Sequence, residues 1–203
     1  MIKNIIFDFG DVFINLDKKG ALEKALHMFE AGTVPEEINA INIVYEQGLI
    51  STEEFLEFYQ DNFPHLEDEI LLESWNSILL DFPQQRLDFL KTLSEEKKYK
   101  LILLSNTNEL HINWVKENVA FFEEFKNYFD AFYLSHEIQL RKPNANIFEF
   151  VLKENDIEAS ETLFIDDTEE NIVGAQKLGI HTWHINPETE DITSLLEVKK
   201  DLF

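Results

Sequence analysis

The sequence predicts an α/β protein, a Rossmann-like parallel sheet core interrupted by an all-helical insertion. Three features carry that prediction. Five short apolar runs have the length and composition of β-strands, helix-patterned segments separate the later ones, and residues 15–84 show helical spacing with no convincing strand.

The first run, Ile5–Phe9, lies in MIKNIIFDFGDVFI and is broken at its end by Asp8, Gly10 and Asp11. Burying an unpaired charge is costly, so a carboxylate there marks either an ordinary turn or a reaction site. In the following stretch the apolar positions recur every three to four residues, as in Leu22, Ala25, Leu26 and Phe29, or Trp75, Ile78, Leu79 and Phe82. Ser51-Thr-Glu-Glu54, just before Phe55, Phe58 and Tyr59, has the spacing of a capping box and predicts a helix start. The remaining strand-like runs are Leu101–Ser105, Ala131–Ser135, Leu163–Asp166 and His181–Ile185. Their alternation with helical segments predicts βαβ units. Residues 1–14 and 85–203 are therefore assigned to a catalytic core, and 15–84 to a helical cap over the strand ends.

Composition narrows the chemistry. The chain of 203 residues is long enough for a real core, and it has no cysteine, which removes disulfides, thiolate metal sites and cysteine nucleophiles. A net charge of -23, from 40 acidic and 17 basic residues, argues against nucleic acid or an anionic membrane as partner. There is no 18-residue apolar stretch, and the reading is a cytoplasmic protein. The 18 phenylalanines are spread along the chain and read as core filling. Nothing in the sequence speaks to oligomeric state.

Ligands of open α/β sheets bind beyond the carboxyl ends of the strands. At those ends stand Asp8, then Ser105-Asn106-Thr107, then Asp166-Asp167, with Lys142 ahead of the helix after the third strand. Each alone has an ordinary explanation as a turn former, helix cap or solvated charge. Convergence is the signal. Carboxylates about 4 Å apart repel by roughly 4 kcal/mol at an effective dielectric near 20, so three of them need cations. Lys142 supplies one positive charge. Mg2+ supplies two, takes oxygen ligands and leaves positions open to a phosphate.

The ordered set Asp8-Phe-Gly-Asp-Val, Leu103-Leu-Ser-Asn-Thr107, Arg141-Lys-Pro143 with Phe148, and Phe164-Ile-Asp-Asp167 with Asn171 resembles the four signature motifs of the haloacid dehalogenase superfamily. Residues 15–84 are similar to the α-helical cap of its phosphatase-rich subfamily, and Tyr45-Glu-Gln-Gly-Leu-Ile-Ser51 resembles a stretch common in such caps. The resemblance implies a HAD-like hydrolase, a Mg2+-dependent phosphomonoester hydrolase acting on a small phosphorylated metabolite such as a sugar phosphate. It implies that Asp8 is the nucleophile and forms an aspartyl-phosphate, and that Lys142 neutralises the reacting groups. By the same resemblance Ser105, Asn106 and Lys142 bind phosphate, and Asp8, the Gly10 carbonyl, Asp166 and Asp167 hold the metal. A metal-independent 2-haloacid dehalogenase and a catalytically weak ligand-binding relative are the alternatives.

One position departs from the pattern. Most phosphatases of the superfamily carry a second aspartate two residues after the nucleophile, as general acid, and here Gly10 stands there. Such an acid is typically worth about 100 to 10,000-fold, so its absence implies a slow enzyme or a substrate with a good leaving group. A glycine here also resembles a branch that includes glucose-1-phosphate phosphatases. Asp11 is not assigned the acid's role. The six histidines have no metal-ligand spacing and read as structural, surface or cap residues.

Overall fold

The computed structural model describes residues 1–29 and 32–203. Five parallel strands form one sheet in the order β3-β2-β1-β4-β5: β1 Asn4–Phe7, β2 Lys100–Ser105, β3 Ala131–Leu134, β4 Thr162–Asp166 and β5 His181–His184. The five predicted runs are these five strands, except that β1 stops two residues short of the expected Phe9. Past Phe7 the chain curls into a turn in which Phe13 and Ile14 both donate backbone N–H bonds to the Phe9 carbonyl, at 2.9 and 3.2 Å.

Helices cover both faces. α1 Lys18–Met28, α2 Glu36–Glu46, α3 Thr52–Asn62 and α4 Asp68–Asn76 lie between β1 and β2, followed by α5 Gln84–Glu96. After β2 come α6 Glu109–Asn118 and α7 Phe122–Asn127, then after β3 α8 Ser135–Ile138 and α9 Ala145–Asn155. α10 Glu169–Gln176 precedes β5, and α11 Leu195–Val198 lies near the C-terminus.

Strand side chains alternate between two cores, as the period of two requires. Ile5, Phe7, Leu101, Leu103, Leu163 and Ile165 enter one, while Ile6, Ile102, Leu104 and Phe164 enter the other. Phenylalanines thicken the first, with Phe13 and Phe125 ring centroids 5.0 Å apart and Phe82 and Phe125 also 5.0 Å apart. A third cluster, of Ile38, Tyr45, Phe55, Tyr59 and Leu71, belongs to α2–α4 alone.

The capping box is present at α3: the Glu54 N–H donates to Ser51 Oγ at 3.1 Å and the Ser51 N–H to Glu54 Oε2 at 2.8 Å. Two short antiparallel segments join the helical insertion to the sheet, with the Leu80 N–H donating to the Asn15 carbonyl at 3.0 Å and the Asn15 N–H to the Asp81 carbonyl at 2.9 Å. Buried Arg86 on α5 braces this junction through the Phe13 carbonyl, Asn15 Oδ1 and Asp191.

Candidate active site

Strand register decides which side chains meet. Phe7 pairs with Ile165 on one side and Leu103 on the other, so Asp8 and Asp166 leave adjacent strand tips at the same level and Ser105 lies one residue beyond. Lys142, in the loop between α8 and α9, reaches back to both carboxylates. Its Nζ is 2.6 Å from Asp8 Oδ1 and 2.7 Å from Asp166 Oδ2, and the lysine is only 1% exposed.

The surrounding residues hold this triad in place. Asn171 Nδ2 donates to both oxygens of Asp166, at 3.1 and 3.0 Å, and the Thr168 N–H donates to Oδ1 at 2.8 Å. Asn106 donates to the Lys142 carbonyl and accepts from the Lys142 N–H, both at 3.0 Å. Its amide is thus committed to the backbone of Lys142, which makes it a positioning residue before it is a phosphate contact. Ser105 is buried, and its hydroxyl has only a 3.5 Å contact to the Asn106 carbonyl.

Burial pushes the carboxyl of Asp8 up to about 7; Lys142 opposes the rise, while Asp166 and Asp167 add to it. For Lys142 burial works against the charge, yet Asp166 and Asp8 outweigh it and hold the ammonium above its ordinary pKa. Asp167 is also raised, by burial first and by Asp166 and Asp11 after it, against the pull of Lys18. Crowded carboxylates that resist ionisation are the expected signature of a cation site. One oxygen from each of Asp8, Asp166 and Asp167 lies within 4.8 Å of the others. An all-oxygen set of three carboxylates, with one internal ammonium against three negative charges, fits Mg2+.

Sequence reasoning passed over several groups. Lys18, the first residue of α1, bridges Asp167 and Asp11, with Nζ 2.8 Å from Asp11 Oδ2. Glu46, the last residue of α2, accepts from Arg141 Nε at 2.7 Å. Both belong to the helical insertion and reach the strand tips only through tertiary packing, so spacing held no signal for either. Asn171, five residues after Asp166 at the start of a helix, belongs to the fourth motif, and only its two bonds to Asp166 reveal its role.

The Gly10 departure has a structural counterpart. A Cβ on Gly10 would lie 2.7 Å from Leu16 Cδ1, the free end of a side chain that a small shift would move aside, so the glycine packs against Leu16 without being required by it. Asp11 has φ 55°, and its carboxylate accepts from the Leu16 N–H at 2.9 Å and pairs with Lys18. It does not line the cavity of about 470 Å³ in front of Asp8, whose walls include Leu16, Lys18, Glu46, Arg141, Lys142 and Asp167.

His111 joins the insertion to the core. Its Nε2 donates to the Trp75 carbonyl at 3.1 Å and its Nδ1 accepts from Asn108 Nδ2 at 3.1 Å, a pattern that fixes the neutral ring. Fully buried Asn108 also accepts from Trp75 Nε1 at 3.3 Å, and Tyr45 Oη accepts from the Leu110 N–H at 3.3 Å. On the neighbouring side Ser135 Oγ donates to the Glu46 carbonyl at 2.5 Å. Among the described residues no helix is long and apolar enough to cross a membrane.

Comparison with known proteins agrees with this geometry. The chain is 32% identical over 190 residues to D-ribitol-5-phosphate phosphatase of Bacteroides thetaiotaomicron, covering 90% of this chain and 91% of that protein. A HAD family enzyme of the same organism, solved as a magnesium complex, superposes with a TM-score of 0.84 at 37% identity, covering 96% of this chain and 98% of that one. Its complex with magnesium and inorganic phosphate superposes with a TM-score of 0.82 at 37% identity, covering 96% and 99%. A 2-haloacid dehalogenase from Pseudomonas syringae shares the fold, with a TM-score of 0.61 at 18% identity and full coverage of both chains. The family model for haloacid dehalogenase-like hydrolases matches residues 5–185, nearly the whole chain and all the strand ends that carry the site, and the protein belongs to that family.

Proposed function

We propose that this protein is a Mg2+-dependent phosphomonoester hydrolase that works through an aspartyl-phosphate on Asp8. The observation that carries the reading is the Lys142 ammonium held between Asp8 and Asp166 at 2.6 and 2.7 Å, next to Asp167. A dehalogenase needs no such cluster of carboxylates.

Asp8, Asp166, Asp167 and the Gly10 carbonyl are the groups that would hold Mg2+. When bound, the ion neutralises the carboxylates and draws charge from the phosphoryl oxygens. Asp8 has Oδ1 committed to Lys142, which keeps the carboxylate oriented while it attacks phosphorus. Lys142 offsets charge on the nucleophile and on the phosphoryl group as it transfers. Ser105 and the backbone N–H groups after β2 and β4 supply further donors to phosphoryl oxygens. Asn106 acts by holding Lys142, and Asn171 with Thr168 by fixing Asp166.

Residues 15–84 act as a cap over this site, with residues 1–14 and 85–203 as the core. Polar contacts from Tyr45, Glu46 and Trp75 to the core support that division, and a docked cap would exclude bulk water during the covalent step. The substrate is a small phosphorylated metabolite. With Leu16 beside Gly10 and Asp11 turned aside, its leaving oxygen must depart without the usual acid, as an anomeric or a phenolic oxygen can. A cytoplasmic setting suits the cysteine-free composition.

The test is phosphate release from a panel of phosphate esters with Mg2+ or EDTA, comparing the wild type with Asp8→Asn. Turnover is expected only with the metal, and the substitution is expected to lower kcat at least about 1,000-fold. Equal rates for the two proteins, or halide release from 2-haloacids unaffected by EDTA, would overturn the proposal.

A further inference from the structure

The helical insertion contains a second cavity, and it adjoins the first. α1 carries Ala21, Leu22, Ala25, Leu26 and Met28, yet it buries none of its residues. It touches α4, and Met28 at its end packs on the cluster of the insertion, yet between it and α2–α4 remains a space of about 280 Å³, whose apolar walls include Leu22, Ala25, Ile38, Leu71, Trp75 and Ile78. An amphipathic helix ordinarily buries its apolar stripe against its neighbours, so the gap is the unusual feature. Lys18 and Glu46 line both this space and the cavity in front of Asp8, so the two meet at that pair. A wider hollow of about 730 Å³ also flanks α1, but it shares no residue with the phosphate cavity.

The polar groups at the walls are largely occupied. Tyr59 Oη donates to Asn42 Oδ1 at 2.8 Å, and His111 has both ring nitrogens engaged while its ring stacks on Trp75 with centroids 5.3 Å apart. Beside Asn39 and Ser74, what remains open is mostly hydrocarbon and aromatic surface. The volume suits one ring with a short substituent, near the lower end of small-molecule sites.

Building on the phosphatase reading, we infer that this cavity is the leaving-group subsite and that the preferred substrate is the phosphate monoester of an apolar phenol. Two independent observations converge on that class: an apolar, aromatic-lined space adjoining the phosphate cavity, and a nucleophile whose usual proton-donating neighbour is replaced by Gly10. A phenolate, unlike an alkoxide, departs without a proton, since phenols ionise near pH 10. In the step, the bond from an Asp8 oxygen to phosphorus forms as the phosphorus–aryl oxygen bond breaks. The electron pair leaves on the phenolate, which then takes a proton from water.

The test keeps the leaving-group pKa nearly constant and varies only apolar reach. Phenyl, 4-methylphenyl, 4-ethylphenyl and 4-propylphenyl phosphates are assayed with Mg2+, alongside acetyl phosphate and a pentitol 5-phosphate. The wild type is expected to show kcat/KM rising by about threefold to fivefold per added carbon. Ala25→Trp, and independently Ala21→Trp one turn earlier, fill the space and should flatten that slope, which is read as a ratio within each variant. Ala21 and Ala25 are only half-buried and belong to none of the three cores, so neither change replaces a packed core residue. A flat series in the wild type, an unchanged slope in both variants, or faster turnover of the pentitol phosphate than of phenyl phosphate would overturn the inference while leaving the phosphatase reading intact. Failure to release phosphate from any compound of the panel, the pentitol phosphate included, would overturn both.

Discussion

Replacing Lys142 by methionine tests the electrostatic construction of the site. The substitution keeps an unbranched stem, one heavy atom shorter, and removes the ammonium that lies 2.6 Å from Asp8 and 2.7 Å from Asp166. The carboxylate oxygens it leaves behind are within 4.8 Å of one another, where two negative charges repel by about 3.5 kcal/mol or more at an effective dielectric of about 20. Removing one partner of a buried ion pair typically costs about 3–5 kcal/mol, and the two figures agree. For a chain of this size that is a fall in Tm of about 10 °C.

The loss should depend on pH, with a definite sign. In the metal-free wild type Asp8 titrates near 7 in the folded protein against 3.8 ordinarily, so the folded state binds the extra proton. Its contribution is fully present below pH 3.8 and is lost as pH rises through about 7. Without Lys142 the folded pKa rises further, and the decline continues to higher pH at up to about 1.4 kcal/mol per unit. Urea unfolding of both proteins in EDTA at pH 5 and pH 8 is the assay. The difference between them should be larger at pH 8 by up to about 1.4 kcal/mol, the decline between pH 7 and 8 that the wild type has already completed, and millimolar Mg2+ should narrow it. A difference below about 1 kcal/mol, or one equal at the two pH values, would refute the claim that this ammonium compensates Asp8 and Asp166.

Two further outcomes test how the helical insertion is joined to the core. Gly48 has φ +64°, and a Cβ there would lie 2.0 Å from the His136 carbonyl oxygen, so Gly48→Ala should destabilise the protein by at least about 1–2 kcal/mol in urea unfolding. Gly32→Ala, where a Cβ meets nothing within 4 Å among the described residues, is the control and should be near neutral. Burial holds His111 down to about 4, against the hydrogen bond to the Trp75 carbonyl. The unfolded state therefore binds more protons between about pH 4 and 6.5, and stability falls as pH drops through that window. An NMR titration of the His111 ring should show no protonation above about pH 5, and a midpoint near 6.5 would contradict the buried network.

Much of the fold was legible in the sequence because its signals are local. Each strand is a short apolar run whose alternate side chains enter two cores, and each announces itself by composition. The α3 start is a reciprocal pair of hydrogen bonds three residues apart, readable as Ser51 and Glu54. The end of β1 was misplaced because Phe9 continues the apolar pattern while its carbonyl already closes a turn. Candidate residues at Asp8, Lys142, Asp166 and Asp167 could be named because a strand tip is a topological position, and the order of motifs along the chain records it.

The sequence by itself determined which chemistry is open to this protein: oxygen and nitrogen groups only, a strongly acidic surface, carboxylates at strand tips, and a glycine where an acid usually stands. Only the tertiary structure decided who meets whom. Parallel register set Asp8 beside Asp166, and a loop far along the chain delivered Lys142 between them. The insertion carried Lys18, Glu46 and Leu16 to the same edge, and α1 settled against α4 with a space left between it and its neighbours. Such contacts join separate segments, 134 positions apart for Lys142 and Asp8, or depend on volume left unfilled, and neither leaves a periodic trace in the chain. Their energies come from packing and from charges brought out of water, quantities that exist only once the segments are in place.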